Sequence, residues 1–182
     1  MYDKILYKHF EKGDILDTLI LFSSKYGSTK KSAEYLSEKI KGSVVMNLAE
    51  NEPNIDCFKN IFIGGAVYNG KLTSNIRNFL FKNEETLKDK NLYIWINCVT
   101  RLSFDQSVLK DIPASLKTSA KKIVFASGIV PETVSLYDRI RFISVQKRIA
   151  GLPAFKIDFD ALDSLTEIPE TDSEVAKDAV DS

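Results

Sequence analysis

Apolar runs alternate along this chain with segments in which apolar residues recur every three or four positions. The runs are five to seven residues long, which predicts strands, and they lie at 18–22, 43–48, 60–65, 91–97 and 122–126. Helical spacing of apolar residues follows the first and third runs, at Ala33, Leu36 and Ile40 and at Ile76, Phe79 and Leu80. Another helical segment, 104–112, is interrupted by Pro113. Strands that alternate with helices predict an α/β fold, a parallel sheet with helices on both faces.

In such doubly wound sheets, ligands bind beyond the carboxyl ends of the strands. Three loops are expected to meet there: 24–29 after the first strand, 66–71 after the third, and the loop that starts at Asn97 after the fourth. The site is therefore expected at this edge of the sheet.

The first of these loops joins an apolar strand directly to a helix. Backbone amides at the start of a helix have no partner within the helix and carry the positive end of its dipole, so they favour an anion such as phosphate. Ser24, Ser28 and Thr29 add hydroxyl groups, and Gly27 allows close approach of the backbone. The alternative is that Ser28 or Thr29 only caps the helix.

Composition narrows the class of protein. The chain has 182 residues, 44% of them hydrophobic and 27% charged, which suits one globular domain. Lysine plus arginine and aspartate plus glutamate each total 25, so no net positive charge favours nucleic acid. Cys57, Cys98 and the single histidine, His9, form no metal or triad spacing, and we expect no metal and a cytoplasmic location. No segment is predicted to cross a membrane.

The first loop and its flanking elements resemble the FMN-phosphate signature of the flavodoxin family. The match runs without a gap from the apolar strand through Ser24, Gly27 and Thr29 to Ala33 and Leu36. Two competing phosphate motifs, Gly-x-Gly-x-x-Gly and Gly-x-x-x-x-Gly-Lys-Ser/Thr, are absent. The resemblance implies a flavodoxin-like doubly wound five-stranded parallel sheet of order 2-1-3-4-5, with FMN as cofactor. It assigns the phosphate to Ser24, Lys25, Tyr26, Gly27, Ser28 and Thr29.

The other two loops are expected to hold the flavin ring. The second loop resembles the isoalloxazine-contacting loop of flavodoxin-like proteins and supplies Ala66, Val67, Tyr68, Asn69 and Gly70. Tyr68 either lies against the flavin or covers the sheet edge. The third loop supplies Asn97, Cys98, Val99 and Thr100 near the pyrimidine end of the ring. Cys98 is interpreted as a small buried residue, and no catalytic side chain is predicted because the cofactor carries the chemistry.

A closer resemblance, over about residues 18 to 152, is to the bacterial flavodoxin-like protoporphyrinogen oxidases that pass electrons to menaquinone. The shared features are the run 19–23, the loop entry 63–66, the Asn97-x-Val99 pair and the run 137–139 before an apolar and basic helix. Those enzymes continue with Gly-Gly-x-Thr-Asp, whereas this chain has Ala-Gly-Leu-Pro at 150–153, which leaves the substrate open. The partners implied are a porphyrinogen substrate and a quinone or redox protein. The second apolar stripe of 136–152 is either covered by the chain's own tail or makes peripheral contact with the inner face of the membrane.

Two alternatives stay open. The first is a flavodoxin-type electron carrier, which would have no small-molecule substrate. The chain is therefore assigned neither as an enzyme nor as a carrier, and no oligomeric state is assigned to it. A flavin-free signalling or binding domain is the other class, but a phosphoacceptor receiver needs an aspartate where Gly64 and Gly65 stand. Residues 1–17 are expected to form an extension, 18–165 the domain, and 166–182 an acidic tail or closing helix.

Overall fold

A computed structural model describes residues 16–68, 70–98, 108–127 and 156–167. The predictions made for 1–15, for the segment around Phe104, for 136–152 and for the closing helix at 172–180 lie outside these residues. The boundaries predicted for the domain stay a prediction, although the first strand already begins at Leu16.

Five parallel strands form the sheet within the described residues, and the apolar runs of the three central strands are buried on both faces. The five strands are β1 (Leu16–Phe22), β2 (Val44–Asn47), β3 (Phe58–Tyr68), β5 (Asn91–Asn97) and β6 (Lys122–Phe125). The order β2-β1-β3-β5-β6 is the predicted 2-1-3-4-5 when the five parallel strands are counted along the chain. A sixth strand, β4 (Lys71–Leu72), pairs antiparallel with the end of β3. The fold is therefore α/β and flavodoxin-like, as predicted.

Helices cover both faces of this sheet. They are α1 (Ser28–Lys39), α2 (Ser74–Lys82), α3 (Glu84–Lys88), α4 (Ala114–Ser119) and α5 (Phe159–Thr166), with a 3-10 turn at Leu109–Asp111. One buried cluster joins the sheet to α2, α3 and α4 through Ile76, Leu87 and Leu116. The other joins it to α1 and α5 through Leu36 and Leu162. We call the side of the sheet with the first cluster the α2 face and the side with the second cluster the α1 face.

The structure corrects two predicted elements. Residues 66–68, predicted as loop, continue β3 and then turn back into β4, because Val67 pairs with Leu72 and Tyr68 with Lys71. Pro113 does not interrupt a helix; it lies at the N-cap of α4, where the amide that proline lacks would have no helical partner.

The sequence did not predict α5, nor the short helices α3 and α4. The N-cap of α5 is Asp158, whose carboxylate accepts a hydrogen bond from the amide of Ala161 at 2.9 Å. Tyr35 of α1 donates a hydrogen bond of 2.7 Å to Asp163, which fastens α5 to α1. Among the described helices, none has both the length and the hydropathy needed to cross a membrane.

Candidate functional site

The loop between β1 and α1 leaves the helix start without a side-chain cap. The N-cap is Gly27, whose φ of 90° lies in the left-handed region that favours glycine. The amide of Gly27 donates to Oγ of Ser24 at 2.9 Å, and its carbonyl accepts the first helical bond, from Lys31, at 2.9 Å. The capping alternative is therefore wrong, since the hydroxyls of Ser28 and Thr29 do not cap α1. The first turn of α1 also carries no acidic residue that would repel an anion.

Thr29 provides a test of whether a phosphate fits this loop. Its side chain is completely buried in the first turn of α1, and its hydroxyl has no hydrogen-bond partner among the described residues. A buried polar atom without a partner costs about 1–3 kcal/mol. A phosphate oxygen at the helix start would supply the missing partner and would also meet the positive end of the helix dipole. The residues present thus fit the phosphate of FMN.

The first and second predicted loops do come together at the carboxyl edge. The rings of Tyr26 and Tyr68 contact each other edge to face, with centroids 5.8 Å apart and planes at 74°. Nζ of Lys25 lies 4.9 Å from the centroid of Tyr26. This aromatic pair links the phosphate loop to the hairpin of β3 and β4, so that one ligand can contact both.

A cleft opens between these two loops and the start of α2. Its volume is about 370 Å³. We call it the carboxyl-edge cleft. Its lining residues are Ser23, Ser24, Lys25, Tyr68, Lys71, Leu72, Thr73, Ser74 and Asn75. Two lysines and no carboxylate are among them, which gives the cleft a positive character. The buried hydroxyl of Thr73, like that of Thr29, has no partner among the described residues.

The tip of the hairpin is shaped by Gly70. This residue has a φ of 73°, which an L side chain rarely adopts. Ala66 is buried, whereas Val67 and Tyr68 are partly exposed. Asn69 lies outside the described residues, as do Val99 and Thr100 of the third loop. The structure therefore brings Tyr68 to the cleft and leaves those three positions as predictions.

Asn97, predicted to contact the flavin, uses its side chain within the protein. Its Nδ2 donates to the carbonyl of Ser127 at 2.6 Å and to Oγ of Ser32 at 3.2 Å, and the residue is 2% exposed. These bonds fasten the end of β5 to α1 and to the end of β6. Any contact from Asn97 to a flavin would therefore come through its backbone. Cys98 is buried, as interpreted from the sequence.

Sequence reasoning missed several contributors to this edge, among them Ser23, Leu72 and Ser74 of the cleft lining. Ser32 was passed over, although it lies one helical turn after Ser28 on the buried side of α1. Thr73 and Asn75 were also missed, and the signal for them was a threonine placed directly before a predicted helix, which is a typical N-cap position.

Comparisons with known proteins agree with this geometry. Residues 19–151 match the model of the family described as flavodoxin domain. No curated protein sequence matches the chain. Similar solved structures include a rubredoxin oxygen:oxidoreductase from Desulfovibrio gigas, with 11% identity over 85% of this chain and 38% of that one and a TM-score of 0.48. The chain thus spans about two fifths of that protein's length.

Two single-domain proteins are similar as well. Oxidised flavodoxin 1 from Bacillus cereus shares 15% identity over 75% of this chain and 99% of its own, with a TM-score of 0.45. A Fusobacterium nucleatum flavodoxin bound to flavin mononucleotide shares 12% identity over 64% and 79%, with a TM-score of 0.43. Because the family model covers well over half of the sequence, this chain belongs to the flavodoxin domain family, and FMN is its cofactor.

Proposed function

We propose that this chain oxidises a small anionic substrate through FMN, and that the substrate is a porphyrinogen, as the sequence resemblance implies. The observation that carries the proposal is the positive character of the carboxyl-edge cleft, whose lining within the described part of the chain includes Lys25 and Lys71 and no carboxylate. A negatively charged reduced flavin is opposed by nearby carboxylates and stabilised by nearby cations. Such surroundings favour a flavin that accepts electrons from a substrate.

The residues of the chain bind and orient. The α1 start and the Thr29 hydroxyl hold the phosphate, and the hairpin tip at Tyr68 and Gly70 lies against the ring system. FMN, when bound, supplies the one-electron and two-electron chemistry that no side chain here provides. Lys71, on the return strand of the hairpin, attracts a substrate carboxylate, and protoporphyrinogen IX carries two of them.

The electron acceptor in this proposal is a quinone. Each pair of electrons and protons that leaves the substrate would reduce one quinone to its quinol. The support for a quinone is the apolar and basic pattern of 136–152, which lies outside the described residues and remains a prediction from the sequence. Electron carriage between proteins is the alternative that family membership supports equally.

Anaerobic turnover distinguishes the two. Protein loaded with FMN is mixed with protoporphyrinogen IX and a menaquinone, and porphyrin fluorescence is followed. We expect porphyrin to form only with both present, and Lys71→Gln to raise KM several-fold with a smaller effect on kcat. Lys90→Gln is the matched control, because Lys90 lies at the opposite end of the sheet, where its Nζ donates to the carbonyl of Asp56 at 2.7 Å. An FMN-loaded protein that forms no porphyrin would rule out the oxidase and leave the carrier.

A further inference from the structure

The strand β4, which follows the hairpin tip, donates a hydrogen bond to a distant part of the chain, the carboxylate of Asp111. On its inner side, β4 leads into Thr73, whose amide donates to the carbonyl of Ala66 in β3 at 2.9 Å. On its outer side, the amide of Leu72 donates to Oδ2 of Asp111 at 2.8 Å. Leu72 is 3% exposed. Without Asp111 this amide would therefore be left without its partner in a buried position.

Asp111 reaches β4 from a segment that is distant in sequence. It ends the 3-10 turn Leu109–Asp111, which comes after β5 and the third predicted loop. Its side chain is 16% exposed, and its Oδ1 lies 3.9 Å from Nη1 of Arg77 in α2. The carboxylate thus connects β4, the 3-10 turn and α2. A hydrogen bond to a charged group is stronger than a bond between neutral groups.

We infer that Asp111 is a positioning residue, which sets where the hairpin tip lies against FMN and thereby how strongly the protein prefers one oxidation state of the flavin. The inference rests on the proposed contact between the tip and the flavin. Gly70 and Lys71 stand close to two fixed points, the β3 strand and the Leu72 amide bonded to Asp111. Moving the second point displaces Gly70.

The readout is the ratio of two dissociation constants, for oxidised and for chemically reduced FMN. A role in stability alone would weaken both by the same factor, whereas a change in how the tip faces the ring alters one more than the other. This ratio also fixes the change in flavin potential on binding, so no turnover is needed. A tenfold change in one constant corresponds to about 1.4 kcal/mol.

Three substitutions at this position separate charge from placement. Asp111→Ala removes the acceptor, and we expect the ratio to change about threefold to tenfold. Asp111→Asn keeps an acceptor oxygen, so its ratio stays within about twofold of the wild type. Asp111→Glu keeps the charge but displaces the acceptor by one bond, and it should change the ratio even if Asp111→Ala does not fold.

Asp163→Ala is the matched control, because Asp163 also accepts a hydrogen bond between two elements, but on the α1 face. It should lower the melting temperature and leave the ratio unchanged. The inference assumes that Gly70→Ala changes the ratio. It is overturned if, in that case, Asp111→Ala and Asp111→Glu weaken binding of oxidised and reduced FMN equally, or leave both dissociation constants unchanged. If neither Gly70→Ala nor Tyr68→Ala affects either constant, the tip does not face the flavin, and the proposed placement fails together with the inference.

Discussion

The amino and carboxyl ends of the sheet differ in how their polar side chains are hydrogen-bonded. At the amino end, three polar residues from neighbouring strands bond to each other across the sheet. Asn91 donates to Asn60 at 2.9 Å, and Asn60 donates to Thr18 at 3.4 Å. At the carboxyl end, the hydroxyls of Thr29 and Thr73 have no partner among the described residues. These three amino-end residues thus bond to one another, whereas the two threonine hydroxyls at the carboxyl end can accept a ligand as partner.

Two buried hydroxyls near the amino end, those of Ser43 and Ser119, also have no partner among the described residues. Both belong to partly exposed residues, whereas Thr29 is completely buried. Ser43 precedes β2 and Ser119 ends α4, whereas Thr29 lies in the first turn of α1, where the backbone amides have no helical partner and favour an anion. The unpartnered hydroxyl of Thr29 therefore indicates a ligand more strongly than the other two do.

Aromatic packing on the α1 face differs between the ends as well. Toward the amino end, the rings of Phe62 and Tyr93 stack with centroids 4.4 Å apart. Two residues further along the same strands, Gly64 lies opposite Trp95, and the indole occupies the space where a side chain of residue 64 would be. Near the site, β3 therefore has a glycine in place of a larger residue, and the indole of Trp95 packs directly on its backbone.

Gly64→Ala should give the largest effect. Its methyl group would overlap the indole of Trp95, which is completely buried and has no space to move into. We expect a loss of about 3 kcal/mol or more in the free energy of unfolding, measured with urea. Gly65→Ala is the control on the opposite face, where the only atom within 3.0 Å of the new methyl is Cδ1 of Leu72, the flexible end of a side chain. A loss as small as that of Gly65→Ala, about 1 kcal/mol, would contradict the packing described here.

Thr29→Val and Thr18→Val apply the same isosteric change to the two ends. Because the Thr29 hydroxyl bonds to nothing described in the protein, Thr29→Val should leave the stability of the FMN-free protein unchanged or slightly higher. It should raise the FMN dissociation constant about tenfold, the cost of a hydrogen bond to a charged group. Thr18→Val should do the opposite and cost about 1 kcal/mol of stability without affecting FMN. Titrations and melts of both variants would show whether the ends differ as described.

The smallest effect concerns alkaline stability on the α1 face. The hydrogen bond to Asp163 is the main cause that raises the pKa of Tyr35, and burial raises the pKa of Tyr93. A raised pKa in the fold means that the neutral phenol is favoured, so its stabilisation is full below about pH 10 and is lost as the pH rises through the raised pKa. Tyr35→Phe should flatten this decline in melts at successive pH values above about 10, the ordinary pKa of tyrosine. An equally steep decline in the variant would show that Tyr35 is not responsible.

Much of the fold could be predicted because its strands are continuous apolar runs. Residues 91–97 were predicted as a strand, and β5 has those same bounds. The last residues of β3 and the whole of β4 could not be predicted. A two-residue strand has no periodicity, and its formation depends on the pairing of Val67 with Leu72. The helix α5 was missed because its eight residues give only two buried leucines, Leu162 and Leu165, to mark a helical period.

The site was predictable where a motif is local and unpredictable where it is made of distant residues. Gly27 and Thr29 belong to one short run, and the sequence places both at the helix start. The bonds from Asn97 to Ser32 and from Leu72 to Asp111 join residues 65 and 39 positions apart. Such contacts depend on how the strands and helices pack, which no local pattern records.

The central claim is that the start of α1, with Gly27 and Thr29, holds the phosphate of FMN. Riboflavin carries the same ring system without the phosphate, so parallel titrations of the flavin-free protein with FMN and with riboflavin test this claim directly. The account predicts that FMN binds about a hundredfold more tightly, because charge-assisted hydrogen bonds to the phosphate are lost with riboflavin. Equal affinities for the two flavins, or no binding of either by the folded protein, would contradict it.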